Sequence, residues 1–353
     1  MKINLNKKEL EKTYRLLDTK EINKSVADLL FYAYGLKDAF GDPDKYGDYY
    51  EQLLSNCGVS EEDYEERDLL EKWIKPAISP LNRDFFEKNL YFKTVKPKPF
   101  IDDGFALEYL TFEAYQPFSL NDIEVDENDY FLERSPISYC VRDERYLALS
   151  YKGVVWMSIT PNEINTMQPY IDQVEGDVLV LGLGLGYYPF MISQKKNVKS
   201  ITIIEGSKRV INIFKQHILP FFPHKDKIKI IWDDAFAYLK KNKAHYDYVF
   251  ADLWHNAEDG LPLYLELKEY EKKMSSTKFQ YWLEKSLIAM LRRCLLTVYE
   301  EALQNYPEKA YLEAKNPIDQ IVNDLYFKTK NITISSYDDI YNLLKDESIL
   351  KLI

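Results

Sequence analysis

The fold turns on one stretch, Asp177-Val178-Leu179-Val180-Leu181-Gly182-Leu183-Gly184-Leu185-Gly186-Tyr187-Tyr188-Pro189-Phe190. After its aspartate it is continuously apolar up to the first glycine, the pattern of a strand buried on both faces rather than on one. Three glycines in alternate positions follow, and then a segment able to form a helix. Glycine is scarce, 12 in 353 residues, yet Gly176, Gly182, Gly184, Gly186 and Gly206 all fall within one short span. A ligand can lie against main chain only where no Cβ intervenes, and the turn itself needs backbone angles that glycine tolerates. A tight turn without a ligand is the plain alternative. The order strand, glycines, helix argues for binding.

Working outward, apolar strands and amphipathic helices keep alternating. Strands are predicted at 177–182, 200–205, 227–232 and 246–252, with helices at 187–195, 207–219 and 234–241. This succession predicts an α/β fold built on a Rossmann-like doubly wound parallel sheet. Upstream, Thr160-Pro161-Asn162-Glu163 carries a helix-start signal: threonine as N-cap, proline in the first turn, and glutamate closing a capping box.

In such a sheet the strand tips open on one crevice, so the residues just beyond them are candidate ligand groups. Glu205 ends the second strand, nineteen residues after Gly186, where an acid can accept both ribose hydroxyls. Trp232-Asp233-Asp234-Ala235 follows the third strand. A carboxylate there can accept an adenine amino group, and Asp233 or Asp234 equally suits the N-cap of the next helix. The fourth strand runs into Asp252-Leu253-Trp254-His255, which makes Asp252, Trp254 and His255 the expected floor of the reacting centre. A nicotinamide-binding loop wants glycine at its sixth position, and this chain has Tyr187 there.

The flanks read differently. Residues 1–90 show helical patterning and 91–157 a series of short strands, a small β subdomain. The Rossmann-like domain is expected over 158–305 and a mainly helical extension over 306–353. Lys278 to Gln304 reads as one long helix, and no later strand of the sheet is evident. Only the ITIS run at 332–335 looks extended.

Net charge is −11, and the lysine pairs at 195–196, 240–241 and 272–273 are scattered. Nucleic acid is therefore not expected as a partner. Cys57, Cys140 and Cys294 show no paired spacing, so neither a disulfide framework nor a metal site is predicted. The N-terminus lacks the apolar run of a signal peptide, and no stretch reaches the ~20 apolar residues of a membrane helix. A cytoplasmic protein with a small-molecule acceptor and no membrane attachment is the expectation.

These stations together resemble the class I S-adenosylmethionine-dependent methyltransferases, and within them the spermidine synthase-like branch. The likeness runs from about residue 150 to 265, and Lys152-Gly153-Val154-Val155-Trp156 is similar to the way spermidine synthases enter their Rossmann domain. The resemblance implies S-adenosyl-L-methionine as cofactor, held by Gly182, Gly184, Gly186, Glu205, Asp233, Asp234, Ala235 and Asp252. It also hints at a homodimer. Asp252 and His255 are the catalytic candidates, with His255 as base and Asp252 orienting it. Tyr187, Tyr188, Trp254 and Glu163 are candidates for facing the acceptor. The chain departs from the spermidine synthase pattern at Trp156, where glutamine is usual, and around Glu163, which lacks the tyrosine and histidine that precede it there. It departs again at His255-Asn256, where an Asp-Pro is usual. These departures put methyl transfer first. Aminopropyl transfer from the decarboxylated donor comes second, and a non-catalytic nucleoside-binding module third.

Overall fold

The computed structural model describes residues 1–60, 62 and 64–353. The chain opens with a short strand, β1 (Lys2–Ile3), and a long helix, α1 (Lys7–Tyr34). Asn6 caps that helix by accepting from the Glu9 amide, and its buried face repeats every three or four residues, from Thr13 and Leu16 to Leu30 and Ala33. Asn23 in this face donates to the Phe131 carbonyl at 3.0 Å and accepts from the Glu133 amide at 2.9 Å. The helix is thereby tied to the β-rich region.

That region holds an antiparallel sheet of four strands, β2 (Phe100–Asp102), β3 (Phe105–Phe112), β4 (Glu144–Tyr151) and β5 (Val154–Ser158), ordered β5-β4-β3-β2. β5 is an edge strand, irregular between Val155 and Met157. It leads into α2 (Pro161–Gln173), whose Thr160–Glu163 capping box forms as the sequence predicts.

The central sheet follows: β6 (Gly176–Leu181), α3 (Tyr187–Ser193), β7 (Val198–Glu205), α4 (Lys208–Ile213), β8 (Ile228–Trp232), α5 (Ala235–Lys241), β9 (Tyr248–Ala251), α6 (Ala257–Lys273), β10 (Lys278–Tyr281) and α7 (Glu284–Leu303). Its five strands are parallel and ordered β8-β7-β6-β9-β10. This is the Rossmann-like arrangement, with β6 central. Val178 through Leu181 are essentially excluded from solvent, as an interior parallel strand requires.

The predicted single helix over 278–304 is corrected here. Lys278–Tyr281 is the fifth strand, and the helix begins only at Glu284. Leu283, in the left-handed region at φ 55°, turns the chain between them. No glycine or proline marks the junction, so the helical period reads straight through it. The extended residues near 332–335 also find an unexpected partner: β11 (Thr333–Ile334) pairs in parallel with β1, not with the central sheet. Among the described residues no helix is long and apolar enough to cross a membrane.

Candidate active site

The tips of β6, β7, β9 and β10 open on one cavity of about 400 Å3, closed on the far side by β5 and the start of α2. A larger hollow of about 650 Å3 lies by the loops that enter β9 and β10, among Lys240, Lys243, His245 and Lys273. It is more open, and neither the glycine loop nor a carboxylate reaches it. Chemistry belongs at the carboxyl tips.

The loop after β6 is fixed by its neighbours. The Gly182 amide donates to the Ile204 carbonyl at 2.9 Å, and a Cβ on Gly182 would stand 2.1 Å from the Asp252 carbonyl oxygen, at a φ of +96° that already favours glycine. Around Gly184, by contrast, a Cβ would meet nothing within 4 Å. Main chain there faces open space, as a surface for a ligand requires. Gly186 closes the loop at the start of α3.

Glu205 closes the opposite side. Its carboxylate accepts from the Leu183 amide at 3.1 Å and the Ser207 amide at 2.6 Å. Burial raises its pKa, and these amides together with that of Gly206 work against the rise. The carboxylate spans the glycine loop and the β7 tip, where it can meet vicinal hydroxyls.

Two further carboxyls face the same cavity. Burial pushes Asp252 up to about 7, with His255 acting in the opposite sense. Glu163 is pushed up to about 8, chiefly by burial and additionally by the neighbouring Asp252 charge, despite hydrogen bonds from the Thr160 amide and the Ser158 hydroxyl. Glu163 therefore serves the capping box and the cavity at once. Among the described residues that line the cavity there are three acids, Glu163, Glu205 and Asp252, one histidine, and neither lysine nor arginine.

The remaining predicted residues divide. His255 lines the cavity, but its orienting partner is Asp259, not Asp252: His255 Nδ1 lies 2.9 Å from Asp259 Oδ2. Tyr187, Tyr188 and Trp254 line the cavity as largely buried rings. Tyr187 accepts from Asn89 at 3.0 Å, and Tyr188 stacks on Phe250 with centroids 3.9 Å apart. Trp254 donates to the Trp282 carbonyl, and its indole lies against Gly260, where a Cβ would come within 2.6 Å. These rings build the wall. Asp233, Asp234 and Ala235 lie outside the cavity. Asp234 caps α5 by accepting from the Ala237 amide at 2.8 Å, and Asp233 pairs with Lys241 at 3.4 Å.

Sequence reasoning missed Met157 and Trp282 and marked Trp156 only as a departure from the spermidine synthase pattern; all three line the cavity. Trp282 follows β10 and donates to the Thr166 hydroxyl on α2 at 2.9 Å, joining two walls. Recognising a fifth strand is the signal that finds it, because the residue after each parallel strand faces the crevice.

A parallel sheet of this order, with a glycine loop after its central strand and an acid at the next tip, is a class I methyltransferase-like, spermidine synthase-like fold. Residues 164–275 match the family model of the spermine/spermidine synthase domain. Among solved structures, the chain is similar to spermidine synthase from Thermotoga maritima, with 14% identity, a TM-score of 0.30, and coverage of 42% of this chain and 58% of that one. A spermidine synthase in complex with the transition-state analogue AdoDATO has 15% identity and a TM-score of 0.29, covering 39% and 54%. A protein described as an O-methyltransferase from Klebsiella pneumoniae has 14% identity and a TM-score of 0.24, covering 30% and 47%. The chain thus spans about half the length of the solved structures it matches. None of the curated proteins matches it.

Proposed function

We propose that this chain is a transferase of the aminopropyl type, moving an alkylamine group from decarboxylated S-adenosylmethionine to an amine. The observation that carries this reading is the pair Glu163 and Asp252 on one cavity beside the glycine loop, without a lysine or arginine among the described lining residues. The decarboxylated donor bears an ammonium and a sulfonium, which suit a cavity lined by acids. The carboxylate of ordinary S-adenosylmethionine would enter it with no cationic side chain as partner. The family match supports the same choice and moves aminopropyl transfer ahead of methyl transfer, which the sequence alone ranked first.

The chemistry is a displacement at carbon. The lone pair of the free amine attacks the methylene joined to the sulfonium, and the C–S bond breaks. Its electron pair stays on sulfur, which leaves as a neutral thioether. An acceptor that enters as its ammonium first gives up one proton to free that lone pair, and Asp252, with a pKa of about 7, suits the proton acceptor near neutrality; the new C–N bond then leaves the product nitrogen as a secondary ammonium. The protein's part is alignment and exclusion of water.

Thermal unfolding with each donor tests the proposal. At about one hundred times its Kd the decarboxylated donor should add ~2.7 kcal/mol of stability, while the ordinary donor adds markedly less. Tighter binding of ordinary S-adenosylmethionine would return the reading to methyl transfer.

A further inference from the structure

The acceptor's class follows from counting charges around the cavity, provided the aminopropyl reading above holds. Glu205 is engaged at the glycine loop through two backbone amides. Glu163 and Asp252 are then the two acids left for two ammonium groups, that of the donor and the reacting one of the acceptor. Among the described lining residues no fourth acid remains. A second ammonium on the acceptor would find no acid to pair with among the described lining residues, whereas an apolar tail needs none.

The wall beyond that pair is apolar. Val155, Trp156 and Met157 of β5 line the cavity. The Trp156 indole is held against Phe105, with centroids 5.7 Å apart, and against Tyr151 at 6.4 Å. Next to it on the edge strand, Val154 and Val155 are 71% and 47% exposed. Adjacent exposed valines continuous with a cavity wall form a surface that gains by being covered.

We infer that the acceptor is a primary monoamine bearing an apolar tail, with its nitrogen at Asp252, the donor's ammonium at Glu163, and its tail along Val155 and Trp156. It is not a diamine.

The experiment uses the full chain with decarboxylated S-adenosylmethionine and measures thioether release with 2-phenylethylamine and with 1,4-diaminobutane. A kcat/KM at least about tenfold higher for the monoamine, the ratio that ~1.4 kcal/mol produces, is the expected result. A smaller preference, or the reverse, overturns the inference while leaving the transferase reading intact. Release with neither amine overturns both. Val155→Asp, on an exposed edge position, supplies the missing counter-charge and should shrink the monoamine's advantage by about tenfold or more. An unchanged ratio would mean that the tail does not lie there, and the inference fails.

Discussion

Replacing Glu163 by glutamine should make the protein more stable and less active at the same time. The amide keeps the local contacts. Its oxygen can accept from the Thr160 amide as Glu163 does at 3.1 Å, its NH2 can donate to the Ser158 hydroxyl, and glutamine is a normal capping-box residue. What disappears is a carboxyl held at about 8, mainly by burial and then by Asp252, against an ordinary value of about 4.3. A carboxyl whose folded pKa is raised binds more protons in the native state. Its contribution to stability therefore falls as pH climbs from the unfolded to the folded pKa, and then levels off. Taken alone that interval amounts to ~5 kcal/mol. The residue keeps some solvent exposure and Asp252 accounts for part of its shift, so about 2 kcal/mol is the expected share. For a chain of 353 residues with ΔS of unfolding near 2.1 cal/mol/K per residue, that is a rise in Tm of about 3 °C. Melting curves of wild type and Glu163→Gln should coincide near pH 4 and separate toward about pH 8, with the variant higher. Donor binding should weaken by at least about tenfold in the variant, one charge-assisted contact being worth ~1.5–3 kcal/mol. A variant that melts lower than wild type at about pH 8, or a gap that does not change with pH, would refute the assignment of Glu163 as a desolvated cavity acid.

Other perturbations read other parts of the site. Binding the decarboxylated donor should release protons near pH 7, because a cation lowers the raised pKa values of Glu163 and Asp252. Calorimetry in two buffers of different ionisation enthalpy measures this, and Asp252→Asn should diminish it. Gly182→Ala forces a Cβ to 2.1 Å from the Asp252 carbonyl oxygen at an unfavourable φ, so a loss of about 3 kcal/mol in denaturant unfolding is expected, along with loss of donor binding. Asp122→Ala removes the carboxylate that accepts from the Lys285 amide and the Ser286 hydroxyl at the start of α7. It should cost about 1–2 kcal/mol in the same assay.

Residues governed by their near neighbours were legible in the sequence; those governed by a distant partner were not. The β6 strand, its three glycines and Glu205 could be read because each lies at a strand tip fixed by local pattern. The Thr160 capping box is a four-residue signal and forms as written. The fifth strand could not be read, because Lys278–Tyr281 becomes a strand only by pairing with β9 about thirty residues earlier, and nothing in KFQYW interrupts a helical period. Missing it hid Trp282. The orienting partner of His255 was misassigned for a related reason. Asp252 is closer in sequence, but Asp259 begins α6 one turn on, and the capping geometry of Asn256 turns its carboxylate back onto the imidazole. Asp233 and Asp234 illustrate the opposite case. Either role was open to them in the sequence, and their side chains go to α5 and Lys241, away from the cavity.

The position of Glu163 is set by contacts within the protein. Asn162 donates to the Asn121 carbonyl at 3.0 Å, and Asn165 donates to the Leu120 carbonyl at 3.1 Å. Trp282 donates to Thr166 one turn further on, so α2 is anchored to the β-rich region on one side and to the tip of β10 on the other. Asp252 is anchored independently: its amide donates to the Leu181 carbonyl at 2.9 Å, and its own carbonyl packs against Gly182. The two acids are carried by separately braced elements, and repulsion from the Asp252 charge favours the protonated form of Glu163 while no cation is near. A ligand with an ammonium between them removes that repulsion without moving either element. On the proposed reading, binding then costs little reorganisation and leaves Asp252 ionised, ready to take the acceptor's proton.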